Sequence, residues 1–277
     1  MSWYFWAFIC SLMYGIEGVY LKFLHKKNID EFSVLKALFL YSIPFLFPVA
    51  LNDGFYFKKK LFFLFLLIVG IGNSLGFYFY SKSIKNTDVS IAVPILSVSP
   101  ILVIPTSYII MGEILPFKGI IGVVITTIGL FLLSYSKKNR INFFQDKGVI
   151  YAFITVLIWS VVASLDKRAL KLSSPSSYPF FSVTMITLIL IFSTPGKEIF
   201  NRKYIFYFLI ARFIHALLFL SHMFALNSSF VAYLIAIKRS GMIVSVLLGW
   251  ILFKEKKPFL KLLSSIIILG GIYLLLS

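Results

Sequence analysis

Ten apolar runs, each about as long as a bilayer is thick, occupy most of this chain. A transmembrane helix needs roughly 20 predominantly apolar residues. The runs of that length are residues 2–24, 32–51, 61–82, 89–111, 116–135, 147–168, 177–194, 204–226, 229–253 and 258–276. The longest connection, residues 136–146, is too small to form a domain. The sequence therefore predicts an all-α membrane protein with ten transmembrane helices, and any function must be built inside the bilayer or at its two faces.

The composition supports a multi-pass integral membrane protein of the cell's inner or plasma membrane. The chain is 60% hydrophobic and only 13% charged, whereas a soluble domain is usually about 25% charged. The net charge of +17 comes mostly from lysines and arginines between the runs, where they meet anionic lipid headgroups. We therefore expect membrane lipid as a partner, and no nucleic acid. The single cysteine, Cys10, allows no internal disulfide. The sequence contains no metal-ligand spacing or nucleotide-binding motif, so we expect no metal and no cofactor.

An internal repeat divides the runs into two sets of five. Residues 89–134 align without a gap with residues 231–276, at a shift of 142 positions. The matched residues include Glu113 with Glu255, Pro116 with Pro258, Phe117 with Phe259 and Gly129 with Gly271. Near the start of each half, Tyr14, Gly15 and Lys22 match Trp159, Ser160 and Lys167 at a shift of 145.

The odd number of runs in each half fixes the relation between the halves. Five crossings leave the chain on the face opposite to the one where it began. The second half therefore starts on that opposite face and must be inverted relative to the first. Inverted repeats that meet at a midplane site are a recurrent plan of secondary transporters. We therefore expect two inverted five-helix repeats, residues 1–135 and 147–277, joined by a basic linker at 136–146 and arranged around a central cavity.

Several polar residues fall inside the predicted spans. Lys238 and Arg239 are adjacent near the middle of the ninth run, where a charge costs at least a few kcal/mol and usually faces a partner or a wet cavity. With a rise of about 1.5 Å per residue, Glu17 and Arg212 share a central slab with this pair. Two further polar residues, His215 and Asn73, are repeat mates at a shift of 142.

These six residues predict a cationic substrate-binding site at the midplane. Arg239 and Arg212 would offer forked donors to a carboxylate or phosphate, and Lys238 would act as a point charge. His215 and Asn73 would add hydrogen bonds, and Glu17 would balance one cation or take up a proton when the site empties. In the alternative interpretation, Glu17 forms a structural ion pair with Arg212 or Lys238, and His215 is a satisfied core histidine.

The fourth run and its end carry a second set of signals. Pro94, Pro100 and Pro105 predict a kinked helix whose freed carbonyls face a cavity, and the alternative is a kinked packing helix. Glu113 ends this run, and its repeat counterpart is Glu255. Because both carboxylates lie at helix ends, beside Lys254 and Lys256 in the second half, we expect them to be solvated or close to lipid headgroups.

Taken together, these features resemble the EamA-type branch of the drug/metabolite transporter superfamily. The residues that carry the resemblance are Ser99, Pro100, Met111, Gly112, Glu113 and Pro116 in the first half, and Gly249, Trp250, Lys254, Glu255 and Pro258 in the second. The resemblance covers essentially the whole chain. It implies ten helices in two repeats, with a central cavity lined by spans 3, 4, 8 and 9 and contributions from 1 and 6.

The Lys238–Arg239 pair is also similar to a pair that grips phosphate in the sugar-phosphate translocators of this superfamily. Glu17, Arg212 and His215 belong to no pattern of the family. The resemblance implies a transporter for a small-molecule substrate that works by alternating access, driven by a coupling proton or a counter-substrate. The residues favour an anionic or zwitterionic metabolite, either an organic phosphate or an amino acid.

Three alternatives stay open at this point, together with the oligomeric state. If the Lys238–Arg239 pair is structural, the chain could export amines, drugs or apolar compounds instead. An intramembrane enzyme that uses His215, and a receptor, are alternatives from other classes. Orientation is also open. Most lysines and arginines outside the spans fall on the face opposite the termini, which predicts external termini, whereas the resemblance implies internal ones.

Overall fold

The computed structural model describes residues 2–25, 31–87, 89–134, 146–193, 200–253 and 259–277. Thirteen α-helices occupy nearly all of this part of the chain. In chain order they are α1 Trp3–His25, α2 Glu31–Leu40, α3 Ile43–Asn52, α4 Leu61–Asn86, α5 Val89–Ser97, α6 Ser99–Met111, α7 Phe117–Ser134, α8 Lys147–Leu170, α9 Tyr178–Ser193, α10 Arg202–Ser228, α11 Val231–Ser240, α12 Met242–Phe253 and α13 Phe259–Leu276.

These helices form ten apolar spans. Three spans are broken, since α2 continues into α3, α5 into α6 and α11 into α12, and each of the other seven helices is a span by itself. Eight of the spans are at least 18 residues long and apolar enough to cross a membrane. The other two contain the shorter apolar stretches Tyr178–Phe192 and Lys261–Leu276. The predicted multi-pass, all-helical fold is confirmed, and the ten runs differ from the observed spans by only a few residues at their ends.

The proline-rich fourth span is divided at Val98 into α5 and α6. The hydroxyl of Ser97 donates a hydrogen bond to the carbonyl of Pro94 at 2.6 Å, so a neighbouring side chain satisfies a backbone acceptor near the break. Pro100 follows in the first turn of α6, where its missing N–H group does no harm. The ninth span breaks at Gly241, one position after the repeat mate of Val98. The two repeats thus share a broken helix at matching places.

Helices α7 and α13 pack against each other through small residues. A Cβ atom at Gly122 would lie 3.0 Å from the carbonyl oxygen of Gly271, and one at Gly129 would lie 3.1 Å from the carbonyl oxygen of Ser264. Gly122 and Ser264 are repeat mates, and so are Gly129 and Gly271. Gly122 thus contacts the mate of Gly129, and Gly129 contacts the mate of Gly122. This exchange in antiparallel order means that a two-fold axis passes between the helices and lies across them. The second half is therefore inverted relative to the first.

The remaining interfaces follow the same symmetry. Helix α4 packs on α8, and α1 packs on α10. The first contact joins span 3 to span 6, and the second joins span 8 to span 1. Exchanging the two repeats converts each of these contacts into the other. Helix α6 also contacts α8, and α12 contacts α1, as the same exchange requires. The first and sixth spans consequently each pack in the opposite half, so every large interface of α1 and α8 joins the two repeats.

Two lysines close to the ends of their spans are buried and therefore do not report on orientation. Lys36 is 6% exposed and Lys167 is 7% exposed. The Lys36 amine lies 3.4 Å from the carbonyl oxygen of Ile191. Because buried lysines are held by protein groups rather than by lipid headgroups, neither of them contributes to the positive-inside charge count.

The α7–α13 contact gives a first testable prediction. A Cβ atom at Gly271 would lie 2.3 Å from the Thr126 hydroxyl and 2.6 Å from the Thr126 backbone nitrogen, whereas one at Gly270 would meet nothing within 4 Å. Because overpacking of this kind costs about 1–3 kcal/mol, we expect Gly271→Ala to lower the melting temperature of the purified protein. The neighbouring Gly270→Ala should leave it unchanged or raise it slightly, since alanine favours helix. Equal melting temperatures for the two variants would contradict this packing.

Candidate functional site

One face of α1 carries three polar side chains that each meet a residue of the second half. Cys10, Tyr14 and Glu17 are spaced by four and three positions, so they lie on one face of the helix. Cys10 Sγ lies 3.8 Å from Nδ1 of His222. The other two meet residues of the predicted site, Arg239 and His215. Three of the predicted site residues, Glu17, His215 and Arg239, thus meet along this face of α1.

Lys238 and Arg239 form the last turn of α11, just before the break at Gly241. Arg239 donates a hydrogen bond through Nη1 to the hydroxyl of Tyr14 at 2.6 Å. The Tyr14 ring centroid also lies 5.6 Å from Cζ of Arg239 and 5.9 Å from Nζ of Lys238. Both cations are partly exposed, and in the described part of the chain neither has a carboxylate within ion-pair distance. The pair is positioned by an aromatic ring and keeps donors free for a ligand.

Close backbone contact between α1 and the broken ninth span brings Arg239 to Tyr14. A Cβ atom at Gly241 would lie 2.0 Å from the carbonyl oxygen of Ser11, and one at Gly15 would lie 2.4 Å from the carbonyl oxygen of Gly241. The hydroxyl of Ser245 donates to the carbonyl oxygen of Gly15 at 2.8 Å. Only glycine permits this approach, and the approach sets the distance between the two helices beside the cations.

Glu17 pairs with His215 rather than with a cation of α11. Its Oε1 atom lies 2.7 Å from Nδ1 of His215, and the two side chains are 13% and 10% exposed. The edge of Phe39 from α2 packs against the imidazole, with ring centroids 5.2 Å apart. The alternative in which Glu17 forms an ion pair with Arg212 or Lys238 is therefore wrong for this conformation. His215 is instead oriented by a carboxylate from the opposite repeat.

Arg212 is the largest fully buried side chain among the described residues, with 0% of its surface exposed. It lies one turn of α10 from His215. None of its three guanidinium nitrogens has a hydrogen-bond partner among the described residues. Its Cζ atom lies 5.8 Å from the ring centroid of Tyr41, at the α2–α3 break, and 5.5 Å from that of Phe208. A buried guanidinium held only by aromatic rings is costly, so its donors are available to an anion.

Asn73 is the predicted site residue that the structure does not join to the others. It lies on α4, flanked by Gly72 and Gly76, which pack against Val162 and Trp159 of α8. It is partly exposed, and no hydrogen bond links it to a described residue of the cationic set. The predicted site is therefore a column along α1, in which Arg239, Glu17 with His215, and Arg212 follow one another. It is not a single slab.

Comparison with known proteins decides the class of the chain. A sequence model of the EamA-like transporter family matches residues 1–135 and 146–277, which is nearly the whole chain. This protein belongs to the EamA-like transporter family. Membership indicates a transporter rather than an enzyme, and an integral membrane protein with many spans.

Similar proteins agree with this membership. An uncharacterized transporter of Archaeoglobus fulgidus is 25% identical over 281 residues, covering 98% of this chain and 95% of its own length. A second uncharacterized transporter of the same organism is 30% identical over 118 residues, or 43% of this chain and 42% of its own length. A solved crystal structure matches with a TM-score of 0.79 and 15% identity, covering 98% of this chain and 94% of that one. That likeness shows the fold alone.

The prediction for Glu113 is wrong in this EamA-like transporter. Its side chain is only 8% exposed and forms an ion pair with Lys167 of α8, whose side chain is 9% exposed. The Lys167 amine also donates to the carbonyl oxygen of Ser229 at 2.5 Å, and Glu113 Oε2 accepts from the backbone N–H of Val231 at 3.0 Å. We call these four residues the clasp. Glu255, Lys254, Lys256 and Pro258 lie outside the described residues.

The sequence carried one signal for the clasp. Glu113 and Lys167 both stood out as residues that recur between the repeats, but nothing local showed that they meet. The other polar group that the sequence did not reveal is Asp166, next to Lys167, whose Oδ1 accepts from the Tyr178 hydroxyl at 2.5 Å. Both residues are buried, so this hydroxyl satisfies a carboxylate inside the second repeat.

Proposed function

We propose that this EamA-like protein is a secondary transporter for a small anionic or zwitterionic metabolite, with an organic phosphate and an amino acid as the two substrate candidates. The half at residues 1–135 would rock against the half at 147–277, so that the site faces each side of the membrane in turn. Such alternating access around a fixed site is typical of inverted-repeat transporters.

This proposal rests on the position of Lys238 and Arg239 and on the groups that surround them. Both lie at membrane depth at the end of a broken helix, and no carboxylate among the described residues neutralises them. The Arg239 guanidinium donates one hydrogen bond, through Nη1, to the Tyr14 hydroxyl, and its other donors are left for a ligand. A planar guanidinium binds carboxylate or phosphate through two parallel hydrogen bonds, and an ammonium adds an unoriented charge. An anionic group is therefore the ligand that this pair suits.

The neighbouring polar groups would balance the charge of the cationic pair after the substrate has left. Glu17 lies on the same face of α1 as Tyr14, one turn beyond it, and it is hydrogen-bonded to His215. Proton uptake by this pair, or its approach to a cation when substrate leaves, would compensate the charge of the vacated site. Arg212, with no partner for its guanidinium among the described residues, would offer a second place to an anionic group.

A ligand panel tests the substrate class directly. A ligand that binds only the folded state raises apparent stability by mass action, by about 2.7 kcal/mol at a hundredfold excess over its Kd. We expect phosphorylated or carboxylated metabolites to raise the melting temperature of the purified wild-type protein. That shift should be absent in Lys238→Gln/Arg239→Gln. The control is Arg202→Gln/Lys203→Gln, which removes an adjacent exposed pair at the start of α10 and should keep the full shift.

The panel also decides between the proposal and its nearest alternative. If cationic or apolar compounds stabilise the wild type and the double variant equally, the Lys238–Arg239 pair is structural. The protein would then be an exporter of amines or drugs.

A further inference from the structure

We propose that the clasp is a gate between an entrance vestibule and the Lys238–Arg239 site, and that it opens when the two repeats separate at the face where the chain begins. This inference rests on the proposed transport function for the identity of the site, but the gate is tested without any substrate.

The vestibule is a cavity of about 620 Å³ at the ends of several spans. The residues lining it include Trp3 at the start of α1, Met111 to Ile114 after α6, Lys167 and Lys171 at the end of α8, and Phe230 and Tyr233 at the start of the ninth span. None of the six predicted site residues lines it. A cavity of this size is sufficient for a small metabolite, and the exposed Lys171 at its wall favours an anionic one.

The clasp closes this cavity on the side of the first repeat. Glu113 follows α6 in the first half, whereas Lys167, Ser229 and Val231 belong to the second half. One carboxylate therefore holds both the end of α8 and the first backbone N–H of α11. Because both bonds of Glu113 cross from one repeat to the other, rocking of the halves at this face must break them.

Three clasp residues, Glu113, Lys167 and Ser229, line the vestibule, and the cationic site lies further along α1. Trp3 lines the vestibule, and it shares a face of α1 with Cys10, Tyr14 and Glu17, because seven, eleven and fourteen positions are near-whole numbers of turns. Tyr14, which holds Arg239, lies roughly 16 Å along α1 from Trp3. On α11, Tyr233 of the vestibule wall precedes Lys238 by five residues. The face of α1 thus leads from the cavity to the cations, past the fully buried Cys10.

An ion pair suits a gate at this place. In the closed state both charges are buried and share hydrogen bonds with the backbone. If one partner alone were lost, a buried charge would remain unpaired, which strongly disfavours that state. When the halves separate, water enters the vestibule and hydrates both charges together, so opening does not strand either of them.

The native Cys10 provides the test, since it is the only cysteine in the chain. We would measure how fast a charged methanethiosulfonate reagent modifies Cys10 in the purified protein. Glu113→Gln/Lys167→Met removes both charges, so no unpaired charge is left in the closed state. We expect this variant to be modified roughly tenfold faster than wild type, which corresponds to a tenfold larger open population. Lys167→Met alone leaves Glu113 as an unpaired buried charge in the closed state, so it should be modified at least as fast as the double variant.

The matched control is Lys171→Met, which removes another lysine from the vestibule wall without touching the clasp. Its rate of Cys10 modification should equal that of wild type. Size-exclusion chromatography and melting temperature confirm that each variant is folded before labelling. If neither clasp variant accelerates Cys10 modification, or if Lys171→Met accelerates it equally, the gate is overturned.

Repeating the measurement in the Lys238→Gln/Arg239→Gln background separates the two proposals. If the clasp variants still accelerate labelling there while ligand stabilisation is absent from every protein, the gate stands and the assignment of the cationic site fails. If ligand stabilisation depends on the pair but labelling never changes, the site stands and the gate fails.

Discussion

Replacing Lys238 and Arg239 together by glutamine should lower uptake into proteoliposomes by at least about a hundredfold. Each charged hydrogen bond to an anionic group contributes about 1.5–3 kcal/mol, and two such losses exceed the roughly 2.7 kcal/mol that corresponds to a hundredfold change. Folding should be affected little, because both side chains are partly exposed and glutamine keeps their polar character. The measurement is initial uptake of radiolabelled inorganic phosphate and glutamate, together with any anionic compound that stabilises the wild type.

Single substitutions refine this expectation. Arg239→Lys keeps the charge but loses the planar fork and the bond to Tyr14, so we expect roughly a tenfold loss. The exposed pair variant Arg202→Gln/Lys203→Gln should transport at the wild-type rate. If neither Lys238→Gln nor Arg239→Gln changes the uptake of any compound that the wild type transports, the site is assigned to the wrong residues.

Gly241→Ala should have the largest effect on folding of any single methyl group added beside the site. The new Cβ atom would lie 2.0 Å from the backbone oxygen of Ser11, and neither backbone can move without separating α1 from the ninth span. We expect a loss of about 3 kcal/mol in the free energy of unfolding, or failure to fold. The melting temperature of the purified protein and its yield in the membrane measure this effect.

The control for Gly241→Ala is Gly18→Ala, on α1 and one turn beyond Gly15, the glycine that packs against Gly241. There the nearest atom to a new Cβ is the hydroxyl of Ser245 at 3.1 Å, which can rotate away, so we expect a loss of less than about 1 kcal/mol. If Gly241→Ala is as stable as Gly18→Ala, the close crossing of α1 and the ninth span does not exist in the membrane.

The ten spans could be predicted because the bilayer imposes a length and an apolar composition that each run satisfies separately. The inversion of the halves followed from an odd number of spans, and the matched Gly129 and Gly271 both lie in the antiparallel contact between α7 and α13. Local chemistry also predicted the division of the fourth span, since prolines remove backbone donors. The break at Gly241 could not be predicted in the same way, because a single glycine in an apolar run is common in membrane helices.

The site was less predictable than the fold because its contacts join residues far apart in sequence. Depth along each helix put Glu17 near Arg212 and Lys238, but depth carries no information about the direction of a side chain. The partner turned out to be His215, 198 positions away. Glu113 shows the same difficulty. Its place at a helix end predicted solvent or headgroups, whereas the ends of α8 and α11 bury it. Tyr14 was visible only as a repeat match, with nothing to indicate that it holds Arg239.

The shortness of α11 has a consequence for the two cations when no substrate is bound. This ten-residue helix carries Glu113 at its first N–H group and Lys238 with Arg239 in its last turn. The helix dipole places about half a negative charge at the end where the cations lie, and the Tyr14 ring adds a further favourable contact. Both cations are therefore partly stabilised without a carboxylate beside them among the described residues.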